Sequence, residues 1–281
     1  MKMNTANNKK IIFWGTPDVA LHTLRSLVDS GYNPIVVVTG CDRRQGRGME
    51  VHQSPVSEFA HNKNIKIFKP EKIDADFIKE ISDLAPDLNI VVAYGKILPQ
   101  EIIDIPTHKT INIHYSILPK YRGASPLEQA LLNGDISTGV TIQQMALRMD
   151  SGDIISEKSV DISTTDTKST LKEKLINAGS ELLISTLPNI FEQKITYKKQ
   201  KEEEATFCKK IKKEDGLIDI NDNPFKNYNK YRAYENWPSV FFIQDDKRYK
   251  ITKARYEDNN FVIEKVIPEG KKEIEYKMIH K

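Results

Sequence analysis

Short apolar runs alternate with amphipathic stretches through the first two-thirds of the chain. Ile11-Ile12-Phe13-Trp14 reads as a buried strand closed by Gly15. Ala20, Leu24, Leu27 and Val28 then recur at helical spacing as far as Gly31, a natural helix stop. Ile35-Val36-Val37-Val38 is a β-branched run suited to a parallel sheet covered on both faces. Ser54-Pro55 predicts an N-cap and first helical residue, followed by a strand at Ile65-Lys66-Ile67-Phe68. Phe77, Ile81 and Leu84 mark another helix; Leu88 to Ala93 and Thr110 to His114 read as strands. Ser125-Pro126-Leu127-Glu128 has a capping-box pattern and opens a helix that stops at Asn133-Gly134. Val140-Thr141-Ile142 and Ile154-Ile155 suggest two further strands, and Leu171, Leu175, Leu182 and Leu183 a long helix. This rhythm predicts an α/β fold: a Rossmann-like, mostly parallel sheet with helices on both faces. Ligands of such sheets bind beyond the carboxyl ends of the strands, which directs attention to the residues after Ala93, His114 and Ile142.

Beyond Asn189 the pattern changes. Lys194 to Lys213 holds eight lysines against three glutamates. Short strand-like pieces follow (Val240-Phe241-Phe242, Tyr249-Lys250-Ile251, Phe261-Val262-Ile263), split by Asp245-Asp246 and Asn259-Asn260. The expected division is a catalytic domain over 1–190, a basic linker over 191–206 and a small β-rich, OB-like barrel domain over 207–281.

Composition narrows the classes. At 281 residues, with 39% hydrophobic and 29% charged, the chain suits a folded globular protein. No apolar run approaches the ~20 residues of a membrane span, so neither an integral membrane protein nor a membrane partner is expected. The polar, basic start Met1 to Lys10 does not read as a signal peptide. Cys41 and Cys208 offer neither a disulfide framework nor a metal pattern, and a cytoplasmic location is the simplest home. His22, His52, His61, His108 and His280 stand alone, without metal spacing, so no metal is expected. Gly15-Thr16-Pro17 lacks the G-x-G-x-x-G that brings a pyrophosphate to a helix N-terminus, which argues against a dinucleotide cofactor. Trp14 and Trp237 are expected to anchor cores. A net charge of +3 does not by itself demand an anionic partner.

The candidate chemistry lies between Asn112 and Asp150. Asn112 and His114, two apart on a strand, share one face. An amide and an imidazole side by side there can aim hydrogen bonds at one carbonyl oxygen, the geometry of an oxyanion stabiliser. Asp150, in the turn Met149-Asp150-Ser151-Gly152-Asp153, is placed to orient the imidazole. Arg122 is expected to pack and hydrogen-bond within the loop over this edge.

The run Asn112-Ile113-His114-Tyr115-Ser116-Ile117-Leu118-Pro119-Lys120-Tyr121-Arg122-Gly123-Ala124-Ser125-Pro126, continued by Gly139 to Ile142 and Asp150 to Asp153, resembles the signature of the 10-formyltetrahydrofolate-dependent formyltransferases. Asp42-Arg43-Arg44-Gln45-Gly46-Arg47-Gly48, Val92 to Pro99, Asp215 to Asp219 and Trp237-Pro238 extend the likeness over nearly the whole chain. It implies that Asn112, His114 and Asp150 are catalytic. It also implies that 10-formyltetrahydrofolate, the co-substrate, is held by Tyr94, Gly95, Lys96, Ile97 and Leu98 and by Ser116, Ile117, Leu118 and Pro119. The chain is most similar to the branch that formylates the α-amino group of methionine on initiator tRNA. Arg43, Arg44 and Arg47 then inherit a grip on the tRNA. Lys209, Lys210 and Lys212 suit tracking of its phosphates. A monomer is expected. The alternative acceptor is a nucleotide-linked amino sugar, against which the arginine-bearing loop and Ala124 to Glu128 stand. Met49-Glu50 and Gly40-Cys41 depart from the family's usual loop, and the second domain is short; both bear on tRNA binding rather than on chemistry.

Overall fold

The computed structural model describes residues 9–45 and 49–279. The chain divides into two compact units, one of Met1–Arg122, Gly139–Ser159 and Leu175–Ala205, the other of Gly123–Thr138, Val160–Lys174 and Thr206–Lys281.

In chain order the elements begin with β1 (Ile11–Gly15), α1 (Asp18–Asp29), β2 (Val36–Val38), β3 (Arg43–Gln45), β4 (Glu50–His52) and α2 (Pro55–Asn62). There follow β5 (Lys66–Phe68), α3 (Ala75–Asp83), β6 (Leu88–Val92), α4 (Gln100–Asp104), β7 (Thr110–His114) and β8 (Arg122–Gly123). Next come α5 (Pro126–Asn133), β9 (Ser137–Gln144), β10 (Ile154–Asp161) and α6 (Lys168–Phe191). The first unit is built on a seven-stranded sheet in the order β10-β9-β7-β6-β1-β2-β5. β1, β2, β5, β6 and β7 pair in parallel, and β9 joins β7 antiparallel. Every residue of β1, β2 and β6 is buried, as near-continuous apolar strands in the middle of a two-sided sheet should be. Ile12, Trp14, Val36, Val38, Ile81, Val91, Tyr94, Leu98, Ile102 and Ile103 form one core cluster. Each such side chain contributes roughly 1.5–3 kcal/mol by leaving water. Trp14 anchors this core as expected, edge-on to Tyr94 at 5.4 Å.

Local signals are partly realised. Ser54 caps α2, its Oγ accepting from Ser57 N at 3.0 Å. Ser125 makes no such bond at the start of α5; Glu128 instead pairs with Lys168 at 2.8 Å, so the capping-box expectation fails there.

In the second unit, β11 (Phe207–Cys208), α7 (Pro224–Ala233), β12 (Phe241–Gln244), β13 (Lys247–Glu257), β14 (Asn260–Pro268) and β15 (Ile274–Glu275) complete the elements. The last four form an antiparallel sheet in the order β12-β13-β14-β15. The β-rich expectation holds, but the pairing among the described residues is that of a four-stranded sheet, not a closed barrel. Its hairpins turn at Asp245-Asp246 and Asp258-Asn259, all with positive φ, as tight hairpins require. Asp166 ties this unit together: it accepts from Ser163 N at 2.7 Å, Thr170 Oγ1 at 2.9 Å and Lys174 Nζ at 2.5 Å. Burial alone would push its carboxyl up; these donors hold it below the ordinary value. Trp237 is half exposed, so it anchors no core.

Residues 194–205 belong to the first unit and are not a free tether. Lys198 exchanges both main-chain hydrogen bonds with Ile154, at 2.8 and 2.9 Å. Lys194, Lys198 and Lys201 each meet a glutamate.

Candidate active site

One face of the β7–β9 pair carries the site. Asn112 and His114 share that face of β7. The antiparallel register sets Gln143 opposite Asn112 and Thr141 opposite His114, and directly opposed residues project to the same side.

Two segments cover this face. The first is 116–121. Thr141 Oγ1 donates to Ser116 O at 2.7 Å and accepts from Leu118 N at 3.1 Å. Ser116 Oγ closes the loop on Lys120 O at 2.6 Å. Tyr121 ends it, and its carbonyl accepts from His114 Nε2 at 2.9 Å. The second segment is the turn after β9. Asp150 Oδ2 lies 3.6 Å from His114 Nδ1. Asp150 Oδ1 accepts from Gln143 Nε2 at 3.0 Å. The same Nε2 stands 3.4 Å from Asn112 Oδ1, while Asn112 Nδ2 donates to Val91 O at 3.1 Å. Asn112, His114 and Asp150 are therefore brought together on a sheet face, with Asp150 returned by a loop that follows an antiparallel strand.

The backbone at this site is held in an uncommon conformation. Ala93, Tyr121 and Asp150 have φ of 45°, 59° and 52°, the left-handed region that costs a non-glycine residue about 1–3 kcal/mol. Gly152 has no alternative: a Cβ there would lie 1.6 Å from Gln144 O.

Two glutamines escaped the sequence reading. Gln143, 2% exposed, contacts both Asn112 and Asp150; its place opposite Asn112 in the strand register was its only signal. Gln200 donates to Asp150 O at 2.9 Å and Gly152 O at 2.7 Å. It sits in the lysine-rich segment, where nothing in the pattern marks it. Arg122 is fully buried, as the packing expected of it requires, but the hydrogen bonds it donates to Gln200 and Glu202 run to a distant segment rather than to its own loop. That bond and Arg148 hold the Glu202 carboxyl below its ordinary value.

The loop after β6 presents main chain. Tyr94 and Leu98 turn their side chains into the core, where burial pushes the Tyr94 hydroxyl up to about 12, with Cys41 adding to it. Tyr94 O accepts from Thr16 Oγ1 at 3.1 Å. Lys96 Nζ is tied to Pro70 O at 2.6 Å and Glu71 O at 2.9 Å. Gly95 has φ 83°, and Ile97 is 85% exposed. Ser116 and Leu118 are buried; Ile117 and Pro119 are partly exposed.

Arg43 is exposed on the β3–β4 hairpin and Arg44 lies in β3, whereas Arg47 is outside the described residues. Lys209, Lys210 and Lys212 are exposed in the second unit. Among the described residues no group of His, Cys, Asp and Glu could hold a metal ion, and no helix is long and apolar enough to cross a membrane.

Two family models match the sequence of this chain. One, described as formyl transferase, covers residues 9–187; the other, described as formyl transferase, C-terminal domain, covers 210–271. The class is thus formyl transferase. Curated methionyl-tRNA formyltransferases are similar over most of the chain. That of Sulfurihydrogenibium sp. is 40% identical over 89% of this chain and 81% of its own length. That of Caldanaerobacter subterraneus is 42% identical over 87% and 80%, and that of Bacillus subtilis 39% over 86% and 77%. The chain belongs to the methionyl-tRNA formyltransferase family. Solved structures share its fold: the sugar 3N-formyl transferase WlaRD (TM-score 0.68, 20% identity, 94% of this chain and 99% of that one) and a methionyl-tRNA formyltransferase from Clostridium thermocellum (0.59, 18%, 95% and 99%).

Proposed function

We propose that this protein transfers the formyl group of 10-formyltetrahydrofolate to the α-amino group of methionine on initiator tRNA, with Asn112, His114 and Asp150 as the catalytic residues. The observation that carries the reading is the convergence of these three side chains on one face of β7–β9. Family membership at about 40% identity supports the acceptor and disfavours the amino-sugar alternative.

The chemistry is acyl transfer between nitrogens. An α-amine titrates near ~8, so a useful fraction is neutral at pH 7 without strong activation. The harder tasks are holding the negative oxygen that develops on the formyl carbon and moving one proton from the attacking amine to the departing nitrogen. Asn112 has one amide N–H on Val91 O, which leaves its second N–H for the oxygen. His114 holds its Nε2–H on the Tyr121 carbonyl, so Nδ1 is the ring atom that serves the reaction; at 3.6 Å it is not committed to Asp150. In the imidazolium form Nδ1–H is the second donor. Asp150 takes the amine's proton, directly or through a water, and returns it to the departing nitrogen as the bond to the formyl carbon breaks, so that the proton count balances.

Arg43, Arg44 and Arg47, together with Lys209, Lys210 and Lys212, grip the tRNA phosphates in this reading, and residues 207–281 serve as the RNA-binding domain. The enzyme acts as a cytoplasmic monomer in this reading, because one chain contributes the whole catalytic trio. The test is an acceptor competition with 10-formyltetrahydrofolate as donor. Formylation of charged initiator tRNA, with none of a dTDP-amino sugar, is expected; the reverse preference would overturn the reading.

A further inference from the structure

Residues 198–204 form a strap that closes on the Asp150 turn. Its centre is Gln200, whose amide is used in full. Oε1 accepts from Arg122 Nε at 3.0 Å and Nη2 at 2.8 Å. That fixes the amide's orientation, because the guanidinium has donors only. Nε2 then points away from the arginine and donates to Asp150 O at 2.9 Å and Gly152 O at 2.7 Å. Arg122 is itself held: it has no exposed surface, and Nη1 and Nη2 also bond Glu202, at 3.1 and 2.8 Å. Arg148 meets the same carboxylate at 3.0 Å. The turn so gripped contains the left-handed Asp150 and, two residues on, the glycine that tolerates no Cβ.

We infer that Gln200 is a positioning residue for formyl transfer: by clamping the carbonyls on either side of Ser151 it sets the Asp150 carboxylate against His114, and Arg122 keeps its amide the right way round. The inference rests on the assignment of Asp150 to the reaction. A buried arginine and an amide bridging it to two main-chain carbonyls make a rigid support, and placement of a reacting carboxylate to within a fraction of an ångström governs turnover more than binding. The strap also carries Lys198, Lys199 and Lys201, so the support lies in a basic segment of the chain.

The chemistry of the amide supplies the test. Gln200→Glu keeps acceptors for Arg122 but sets a carboxylate against two carbonyls. Gln200→Met keeps the length and removes every hydrogen bond. With folding confirmed by thermal melting, both variants are expected to lose about ten- to a hundredfold in kcat. KM for 10-formyltetrahydrofolate should stay within about twofold of wild type. As pH falls, protonation returns a donor to the glutamate, so the deficit of Gln200→Glu should narrow while that of Gln200→Met does not. In an Asp150→Ala background, Gln200→Met should add little. Wild-type kcat in Gln200→Met, a loss in Gln200→Glu alone, or additive losses in the double variant would each overturn the inference. Inactivity of the wild-type enzyme on methionyl-tRNA would instead overturn the proposed function, so the two failures are distinct.

Discussion

His114 is pinned at one end of its ring and open at the other: Nε2 lies 2.9 Å from the Tyr121 carbonyl, while Nδ1 stands 3.6 Å from Asp150 Oδ2, beyond hydrogen-bond distance. The bond to Tyr121 fixes the ring plane and places the proton on Nε2, which leaves Nδ1 as the ring nitrogen not held by a hydrogen bond to Asp150. His114→Ala and Asp150→Ala are each expected to lower kcat by roughly 100-fold or more with both substrates saturating. Groups that act as a unit lose their effect together, so the double variant should fall little further. Steady-state kinetics of the three variants provides the check.

Gly152 is where the turn meets the strand. Because a Cβ would overlap Gln144 O at 1.6 Å, Gly152→Ala must push the turn off β9. A loss of about 1–3 kcal/mol in stability is expected, with a kcat defect that exceeds what the lost folded fraction explains. Thermal melting and kinetics on the same preparation separate the two.

In the second unit, Asp166 is held ionised by Ser163 N, Thr170 and Lys174 against the cost of its burial. A carboxyl whose folded value lies below its unfolded one contributes stability above the unfolded value. That contribution is lost as pH falls through the folded value. Asp166→Asn should therefore lower Tm at pH 7, with a cost of about 1–3 kcal/mol, and the gap to wild type should close on acidification below about pH 4. Denaturation at a series of pH values measures this directly.

Electrostatic capture of tRNA gives affinity that falls with added salt. Replacing Lys209, Lys210 and Lys212 together by alanine should raise KM for methionyl-tRNA and flatten its salt dependence, each lost phosphate contact reducing the slope by about one. KM for 10-formyltetrahydrofolate should not change. Titrations at several ionic strengths test this, and an unchanged slope would remove these lysines from the RNA contact.

Much of this was legible in the sequence, for identifiable reasons. β1, β2 and β6 declare themselves because central parallel strands are apolar on both faces. Asn112 and His114 were found as a pair because alternation along one strand is a local property. What stayed hidden depends on contacts between distant segments. Gln143 matters only once β9 lies antiparallel to β7. Gln200 matters only once the lysine-rich segment folds back on Asp150, 50 residues earlier in the chain. Ser125 carries the sequence of a capping box, yet Glu128 turns instead to Lys168 in the same unit. Trp237 reads as a core residue from its type alone, and no local pattern reveals that it is half exposed.

The most direct test of the central claim is the single-turnover rate of formyl transfer from 10-formyltetrahydrofolate to methionyl-tRNA by wild type and Asn112→Ala. Asn112 supplies a neutral donor whose loss leaves all charges in place. The account predicts a rate lower by roughly 100-fold or more with co-substrate binding retained; a variant that transfers the formyl group at the wild-type rate would contradict it.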